Sequence, residues 1–221
     1  MPMNLPNGRT INFIAIVTSA LFMVQMFGDL IDRAAVMGGF IPARVHALAA
    51  SGTQIDIPWL PVWITPLSAT LIHGGFLHLA FNMVMLLFCG RQVESLLGRW
   101  PTILVYVVGA YASAAAQWIA DPESVTPMIG ASGAISALMG TYAVIYGQRA
   151  AKPIGPIPAY AVRIIWLAAA WIGLQLLVGL ATGPDTPIGG VAIAAHIGGF
   201  IAGLLLTRPL LYRRFRWRPV D

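Results

Sequence analysis

The sequence predicts an all-α integral membrane protein whose helices cross the bilayer six times within one bundle. The 221 residues are 58% hydrophobic and only 10% charged, and the mean hydropathy is +0.78. A soluble domain has about 25% charged residues, so this composition excludes a soluble globular protein. The basic residues also concentrate in alternate connecting segments, as is typical of proteins with several membrane spans.

Six apolar stretches approach or reach the roughly 20 residues that a helix needs to cross the hydrocarbon core. They predict membrane spans at 11–29, 67–90, 101–120, 131–148, 161–181 and 189–207. We see no internal repeat, so we expect one membrane domain (11–207) between a short N-terminal tail (1–10) and a basic C-terminal tail (208–221). The first stretch lacks a small-residue cleavage site, which predicts an uncleaved anchor.

A long segment, 30–66, separates the first two predicted spans. It contains prolines and tryptophans near the entrance to the second span, among them Pro61 and Trp63. Tryptophan prefers the interface between membrane and water. We therefore predict a long interfacial loop here rather than a seventh span.

The charged residues predict the orientation of the bundle. With the N-terminus in the cytoplasm, eleven basic residues fall on the inside and only Arg33 and Arg44 on the outside, where six of the eight acids also lie. This positive-inside pattern predicts that both termini are cytoplasmic and that 30–66 is external. We interpret the arginine-rich segment 212–218 as an anchor to anionic lipid headgroups and expect no nucleic-acid partner.

Four polar side chains are predicted to lie at one depth in the outer half of the bilayer. The stretch from Ser132 to Gln148 covers about 25 Å at the helical rise, less than the roughly 30 Å core, so Ser132 should lie just below the outer surface. His196 falls about 10 Å into the sixth span. His78 and Asn82 share one face of the second span because they are four positions apart.

Small residues on the fourth and sixth spans predict that the two helices are in close contact. One such face contains Ser132, Ser136 and Gly140. The other contains His196, Gly199 and Gly203. Because small faces let helix backbones approach each other, we expect Gly199 and Gly203 to face the first set. His196 could then accept the proton of Ser132. We predict a dyad, since no acid falls at that depth.

Three motifs on these spans resemble the rhomboid family of intramembrane serine proteases. They are His73-Gly-Gly-Phe-Leu-His-Leu-Ala-Phe-Asn82, Gly130-Ala-Ser-Gly133 and Ala195-His-Ile-Gly-Gly199. They occur in the family's order on spans two, four and six. The resemblance implies that Ser132 is the nucleophile and His196 the general base. It also implies that His78, Asn82 and the backbone N–H of Ser132 form the oxyanion hole.

Other residues of these motifs are predicted to have structural roles near the site. This set is His73, Gly130, Gly133, Gly199 and Gly203. Two positions differ from many members of the family. A Trp-Arg pair before the second span is replaced by Trp63-Ile64, and a tyrosine four residues after the serine is replaced by Ser136.

The resemblance implies a serine endopeptidase that cleaves the transmembrane segments of other membrane proteins near the outer leaflet. The expected partners are these segments and the lipid bilayer; we expect no cofactor and no metal. The short tails predict a bacterial inner membrane protein. Two alternatives remain open: a catalytically inactive rhomboid-like protein that binds membrane helices, and a small transporter. The transporter is disfavoured because the candidate polar groups are confined to the outer half, no inverted repeat appears and no polar path crosses the inner half.

Overall fold

The computed structural model describes residues 6–51, 60–146, 152–182 and 193–216. These residues form ten α-helices: α1 (Arg9–Phe27), α2 (Ile31–Gly38), α3 (Pro42–Ser51), α4 (Thr65–Ser68), α5 (Phe76–Met85), α6 (Arg91–Leu97), α7 (Arg99–Ala120), α8 (Ser132–Tyr146), α9 (Ala159–Thr182) and α10 (Ile193–Arg216). A 3₁₀ turn, Ala69–Leu71, follows α4. A π-helical turn, Leu86–Gly90, joins α5 to α6.

Four helical segments within the described ranges are long and apolar enough to cross a membrane. They are Arg9–Phe27, Phe76–Leu97, Arg99–Ala120 and Ile193–Phe215. Shorter apolar helices occur at Ser132–Tyr146 and Ala159–Leu174. Helix is therefore present in each of the six predicted stretches, whereas six membrane crossings remain a prediction.

The second and sixth predicted spans differ from the observed helices at their ends. The second was predicted from residue 67, but α5 begins at Phe76, after the short turns and an extended Gly75. The continuous helical segment then reaches Leu97. Helix α10 extends beyond 207 to Arg216. The apolar pattern missed this extension because arginine is a good helix former but strongly hydrophilic, so it ends an apolar stretch without ending a helix.

The predicted external loop contains two helices, α2 and α3, that the sequence analysis did not predict. Its residues 52–59 lie outside the described ranges. Backbone hydrogen bonds join the loop to the segment before α8: the N–H groups of Phe40 and Met128 each donate to the other residue's carbonyl, at 3.0 and 2.8 Å. Ala43 N–H donates to the Ser124 carbonyl at 3.0 Å. The loop is therefore bonded to the segment that leads into α8.

Helix α8 is the central helix of the bundle. Every residue from Ser132 to Thr141 is buried. It packs against α7, α9 and α10. Small residues allow the close approach, since a Cβ atom added to Gly109 of α7 would overlap Ala137 of α8. A helix enclosed on all sides is expected to be apolar on all sides, and α8 has this composition.

Glu94 of α6 caps the beginning of α1. Its two carboxylate oxygens accept hydrogen bonds from the backbone N–H groups of Thr10 and Ile11, each at 3.0 Å. These donors have no partner within their own helix, and the positive end of the helix dipole favours the carboxylate. Glu94 therefore fixes α1 to the end of the α5–α6 segment that is distant from His78, about 24 Å away at the helical rise.

Candidate active site

Ser132 and His196 meet where α8 begins. The Oγ atom of Ser132 lies 2.8 Å from Nε2 of His196, although 64 positions separate the two residues. Both side chains are buried, with 7% and 5% of their surface exposed. A hydroxyl at this distance from an imidazole nitrogen is within the range required for proton transfer to a general base.

Glycines bring the helix that carries His196 directly against α8. A Cβ atom added to Gly199 would overlap the backbone carbonyl of Gly133, and one added to Gly203 would overlap that of Ala137. In the opposite direction, a Cβ atom added to Gly140 would overlap the carbonyl of Phe200. The two backbones are thus in contact, and any side chain at these positions would separate them.

The contact on α8 matches the predicted face at Gly140, which lies against the Phe200 carbonyl, but not at the two serines. We expected Ser132 and Ser136 to lie against Gly199 and Gly203, but the contact falls on the next residue in each case, Gly133 and Ala137. Successive helical residues point about 100° apart. Ser132 reaches α10 through its side chain instead, since its Oγ lies 2.8 Å from His196 Nε2.

The chain enters α8 through Gly130, whose backbone requires glycine. Its φ angle is +108°, in a region that other residues rarely adopt. A Cβ atom there would lie 2.6 Å from Nε2 of His78, so the His78 ring packs directly on this backbone. The N–H of Gly130 also donates to the Ala69 carbonyl at 2.9 Å. The turn before Ser132 is therefore held from two sides.

His73 lies in the loop before α5 and contacts the same turn. Its Nε2 accepts a long hydrogen bond, 3.4 Å, from the backbone N–H of Ala131. The side chain is completely buried, and its ring meets that of His78 edge to face with centroids 5.1 Å apart. These contacts join His73 to the turn that precedes Ser132.

Asn82 is one turn below His78 on α5. Its Nδ2 donates to the His78 backbone carbonyl at 2.8 Å, while its Oδ1 is buried without a hydrogen-bond partner in the described part of the chain. The side chain itself is almost completely buried. An amide nitrogen has two hydrogens, so this bond leaves one N–H of Asn82 available to another acceptor.

Trp171 of α9, which was not among the residues predicted from sequence, contacts the same group of side chains. Its indole Nε1 donates to Ser136 Oγ at 2.7 Å, and its ring lies edge to face with the His196 ring at a centroid distance of 6.2 Å. Trp171 is about 18 Å along α9 from Ala159 at the helical rise. Tryptophan normally prefers the membrane interface. A tryptophan near the middle of an apolar stretch was therefore the signal in the sequence that could have identified this residue.

The described residues contain no group of three or more His, Cys, Asp or Glu side chains that could hold a metal ion. The two histidines at the α8 entrance, His73 and His78, contact each other and the backbone instead. The site is thus a serine hydroxyl beside an imidazole, surrounded by polar hydrogen-bonding groups at a helix N-terminus. This arrangement has the components of a serine hydrolase site.

An all-helical membrane chain with this serine and histidine is also similar in sequence to known proteins. The family model described as Rhomboid domain matches residues 61–213. The chain belongs to the rhomboid family, a family of intramembrane proteases, and is an integral membrane protein.

Several curated relatives support this assignment. The chain is 32% identical over 165 residues to Rhomboid protease GlpG of Pectobacterium atrosepticum, a match that covers 73% of this chain and 51% of that protein. It is 31% identical over 147 residues to RHOMBOID-like protein 5 of Arabidopsis thaliana, covering 66% and 44%. For Rhomboid protease GlpG of Yersinia pestis, the identity is 30% over 151 residues, covering 67% and 48%. The chain thus spans about half the length of these relatives.

Proposed function

We propose that this protein is an intramembrane serine endopeptidase that uses Ser132 and His196 as a catalytic dyad. The observation that supports this most directly is the 2.8 Å distance between Ser132 Oγ and His196 Nε2. The match to the rhomboid family supports it independently, as does the similarity to the bacterial relatives called Rhomboid protease GlpG.

The proposed reaction begins with attack of Ser132 Oγ on the carbonyl carbon of the scissile peptide. His196 Nε2 takes the hydroxyl proton as the C–O bond forms. It then gives that proton to the leaving amine when the C–N bond breaks. A water molecule then attacks the carbonyl carbon of the resulting ester while His196 takes its proton. His196 gives that proton to Ser132 Oγ as the ester bond breaks, which releases the acid product and regenerates the serine. The reaction needs neither a metal nor an organic cofactor.

The proposed oxyanion hole combines the backbone N–H of Ser132 with side-chain donors from His78 and Asn82. Ser132 begins α8, where backbone N–H groups lack helical partners and the helix dipole favours negative charge. His78 packs on Gly130, two residues before the serine, and Asn82 retains one N–H beyond its bond to the His78 carbonyl. Donors of this kind stabilise the charge that develops in the transition state.

Close helix packing is proposed to orient the imidazole, a role that a carboxylate has in a soluble triad. The acid on the second helical segment, Glu94, is bonded to the start of α1. The contact of Gly199 with Gly133 instead fixes how far His196 lies from α8. We therefore propose a dyad rather than a triad.

The proposed substrates are transmembrane segments of other membrane proteins, cleaved near the outer leaflet. In this proposal the six helical stretches all cross the bilayer with both termini in the cytoplasm. The beginning of α8 then lies on the external side, where water is available. A substrate helix must unwind locally to expose a carbonyl, and helix-breaking residues near its outer end would favour this. We propose a bacterial inner membrane location, in line with the bacterial relatives.

The test is covalent labelling of the purified, reconstituted protein with a fluorophosphonate, combined with cleavage of a transmembrane reporter substrate. We expect both in the parent and neither in Ser132→Ala. Ser95→Ala is the control, because Ser95 is an exposed serine on α6 whose hydroxyl bonds only to the nearby Gln92 carbonyl; it should label and cleave like the parent. A parent that folds but neither labels nor cleaves would favour the alternative of an inactive helix-binding protein.

A further inference from the structure

We infer that Trp171 is a positioning residue that holds both members of the proposed Ser132–His196 dyad. The inference depends on the proposed function and adds a residue from a fourth helix, α9, to the site. It depends on two contacts made by one side chain. The indole N–H donates to Ser136 Oγ at 2.7 Å, and the indole ring packs against the His196 ring.

The first contact continues to the backbone of the nucleophile. Ser136 Oγ donates to the backbone carbonyl of Ser132 at 2.7 Å, so two hydrogen bonds connect the Trp171 indole to the peptide that follows Ser132. Ser136 is completely buried, and a buried hydroxyl that both accepts and donates has a fixed orientation. This chain restrains the first turn of α8, which determines where Ser132 Oγ lies.

The second contact restrains the base. The His196 and Trp171 rings are at an interplanar angle of 71° with centroids 6.2 Å apart, within the edge-to-face range of aromatic pairs. Trp171 is itself 2% exposed, so the surrounding helices hold its ring in one orientation. A ring fixed in this way limits the rotation of the neighbouring imidazole about its χ angles. Trp171 therefore determines the relative position of Oγ and Nε2 from a helix that contributes no reacting atom.

Trp171 also lines an apolar cleft of about 190 Å³ between the π-turn of the second helical segment and α9, together with Phe88, Tyr142 and other apolar residues. A second role for Trp171 would be to shape this cleft for the substrate, without positioning the dyad. The two roles are separable, because a small fluorophosphonate reports the reactivity of the dyad without requiring a transmembrane substrate to bind.

The experiment compares Trp171→Phe and Trp171→Leu with two controls, Phe88→Leu in the cleft and Trp166→Leu on the exposed side of α9. Phenylalanine retains a ring beside His196, whereas leucine removes it. Because a displacement of about 1 Å can cost a hundredfold in rate, we expect Trp171→Leu to lower labelling and kcat together by at least about tenfold. Trp171→Phe keeps the ring but loses the hydrogen bond to Ser136, and we expect it to lower both by about threefold. Both controls should label at the parent rate.

A double-mutant cycle tests the hydrogen-bonded chain. Trp171→Phe and Ser136→Ala remove the two ends of one interaction, so their effects on the labelling rate should be non-additive. The indole ¹H–¹⁵N resonance of Trp171 should also shift upfield in Ser136→Ala, a readout that needs no catalytic activity. If the indole resonance is unchanged, the hydrogen bond is not formed.

Parent-level labelling by a folded Trp171→Leu variant would overturn the positioning role while leaving the proposed protease function intact. If Trp171→Leu fails to fold, additive effects in the cycle would overturn the inference instead. If the parent itself is not labelled, the result counts against the proposed function. The indole resonance would then still report the contact of Trp171 with Ser136.

Discussion

Gly199 lies directly against the backbone carbonyl of Gly133, where α10 crosses α8 one residue beyond the proposed nucleophile. This contact determines how far the His196 helix is from Ser132. Ser113 of α7 also reaches the same point, since its Oγ would lie 2.6 Å from a Cβ atom added to Gly199. Three helices thus meet at a position where only glycine fits.

Gly199→Ala is therefore expected to lower activity sharply. Its added methyl group would overlap the Gly133 carbonyl, which costs about 1–3 kcal/mol of stability for an overpacked core. Moving His196 by about 1 Å would reduce the cleavage rate on the order of a hundredfold. The matched control is Gly173→Ala on α9, where an added Cβ meets no atom within 4 Å. Cleavage and thermal unfolding are measured in the same detergent; parent-level cleavage by Gly199→Ala would show that the helices are not in contact there.

Gly130→Ala should damage the site through the backbone. The φ angle of +108° is unfavourable for alanine by about 1–3 kcal/mol, and the added Cβ would displace the His78 ring. Labelling and cleavage should both fall. Gly75→Ala is the control, because Gly75 is extended, with φ of 171°, and an added Cβ there meets no atom within 4 Å. Equal activity in the two variants would contradict this account of the turn.

The dyad predicts strongly non-additive kinetics. Ser132→Ala and His196→Ala should each abolish turnover while leaving membrane insertion and thermal stability near the parent values. The double variant should be no slower than either single variant, because a nucleophile and its base act as a unit. The measurement is turnover of a purified transmembrane substrate. Appreciable cleavage by Ser132→Ala would refute the assignment of the nucleophile.

The proposed oxyanion donors predict an intermediate effect. His78→Ala or Asn82→Ala should lower kcat by roughly tenfold to a thousandfold, the scale for loss of one donor. Labelling should persist in both variants, unlike in Ser132→Ala, because the nucleophile remains. Val84→Ala on the exposed face of the same helix should have no effect. If the double variant His78→Ala/Asn82→Ala turns over at the parent rate, other groups stabilise the oxyanion.

Glu94 should affect stability rather than catalysis. Glu94→Ala removes the acceptors of the Thr10 and Ile11 N–H groups, and loss of a helix cap costs about 1–2 kcal/mol. We expect a lower midpoint of thermal unfolding with an unchanged kcat at low temperature. Ser95→Ala, at an exposed position on the same helix, should leave both unchanged. A large loss of kcat in Glu94→Ala without loss of stability would indicate that the carboxylate contributes to the reaction.

Much of this protein follows from local sequence patterns. The apolar stretches predicted membrane helices, and helix occupies all six. Ser132 was expected to begin the fourth span, and α8 begins there. Such features are readable because hydropathy and small-residue spacing depend on residues close together in the chain. The three motifs predicted the rhomboid family for the same reason, and the family match confirmed it.

Other features were determined only by tertiary structure. The sequence placed Ser136 on the face of α8 that meets α10, but its hydroxyl bonds to Trp171 of α9. A four-residue repeat defines a helical face without defining which neighbour covers it. That choice depends on the rotation of α8 against three helices at once. Here it is set by the close approach of the α10 backbone to Gly133, Ala137 and Gly140.

The distance between Ser132 and His196 has the same origin. Sequence could bring the two residues to a common depth, because depth follows from counting residues along each helix. Whether Oγ and Nε2 lie 2.8 Å apart depends on lateral packing across 64 positions of chain. Local spacing determines what each helix can present, whereas the close packing of backbones determines which side chains meet.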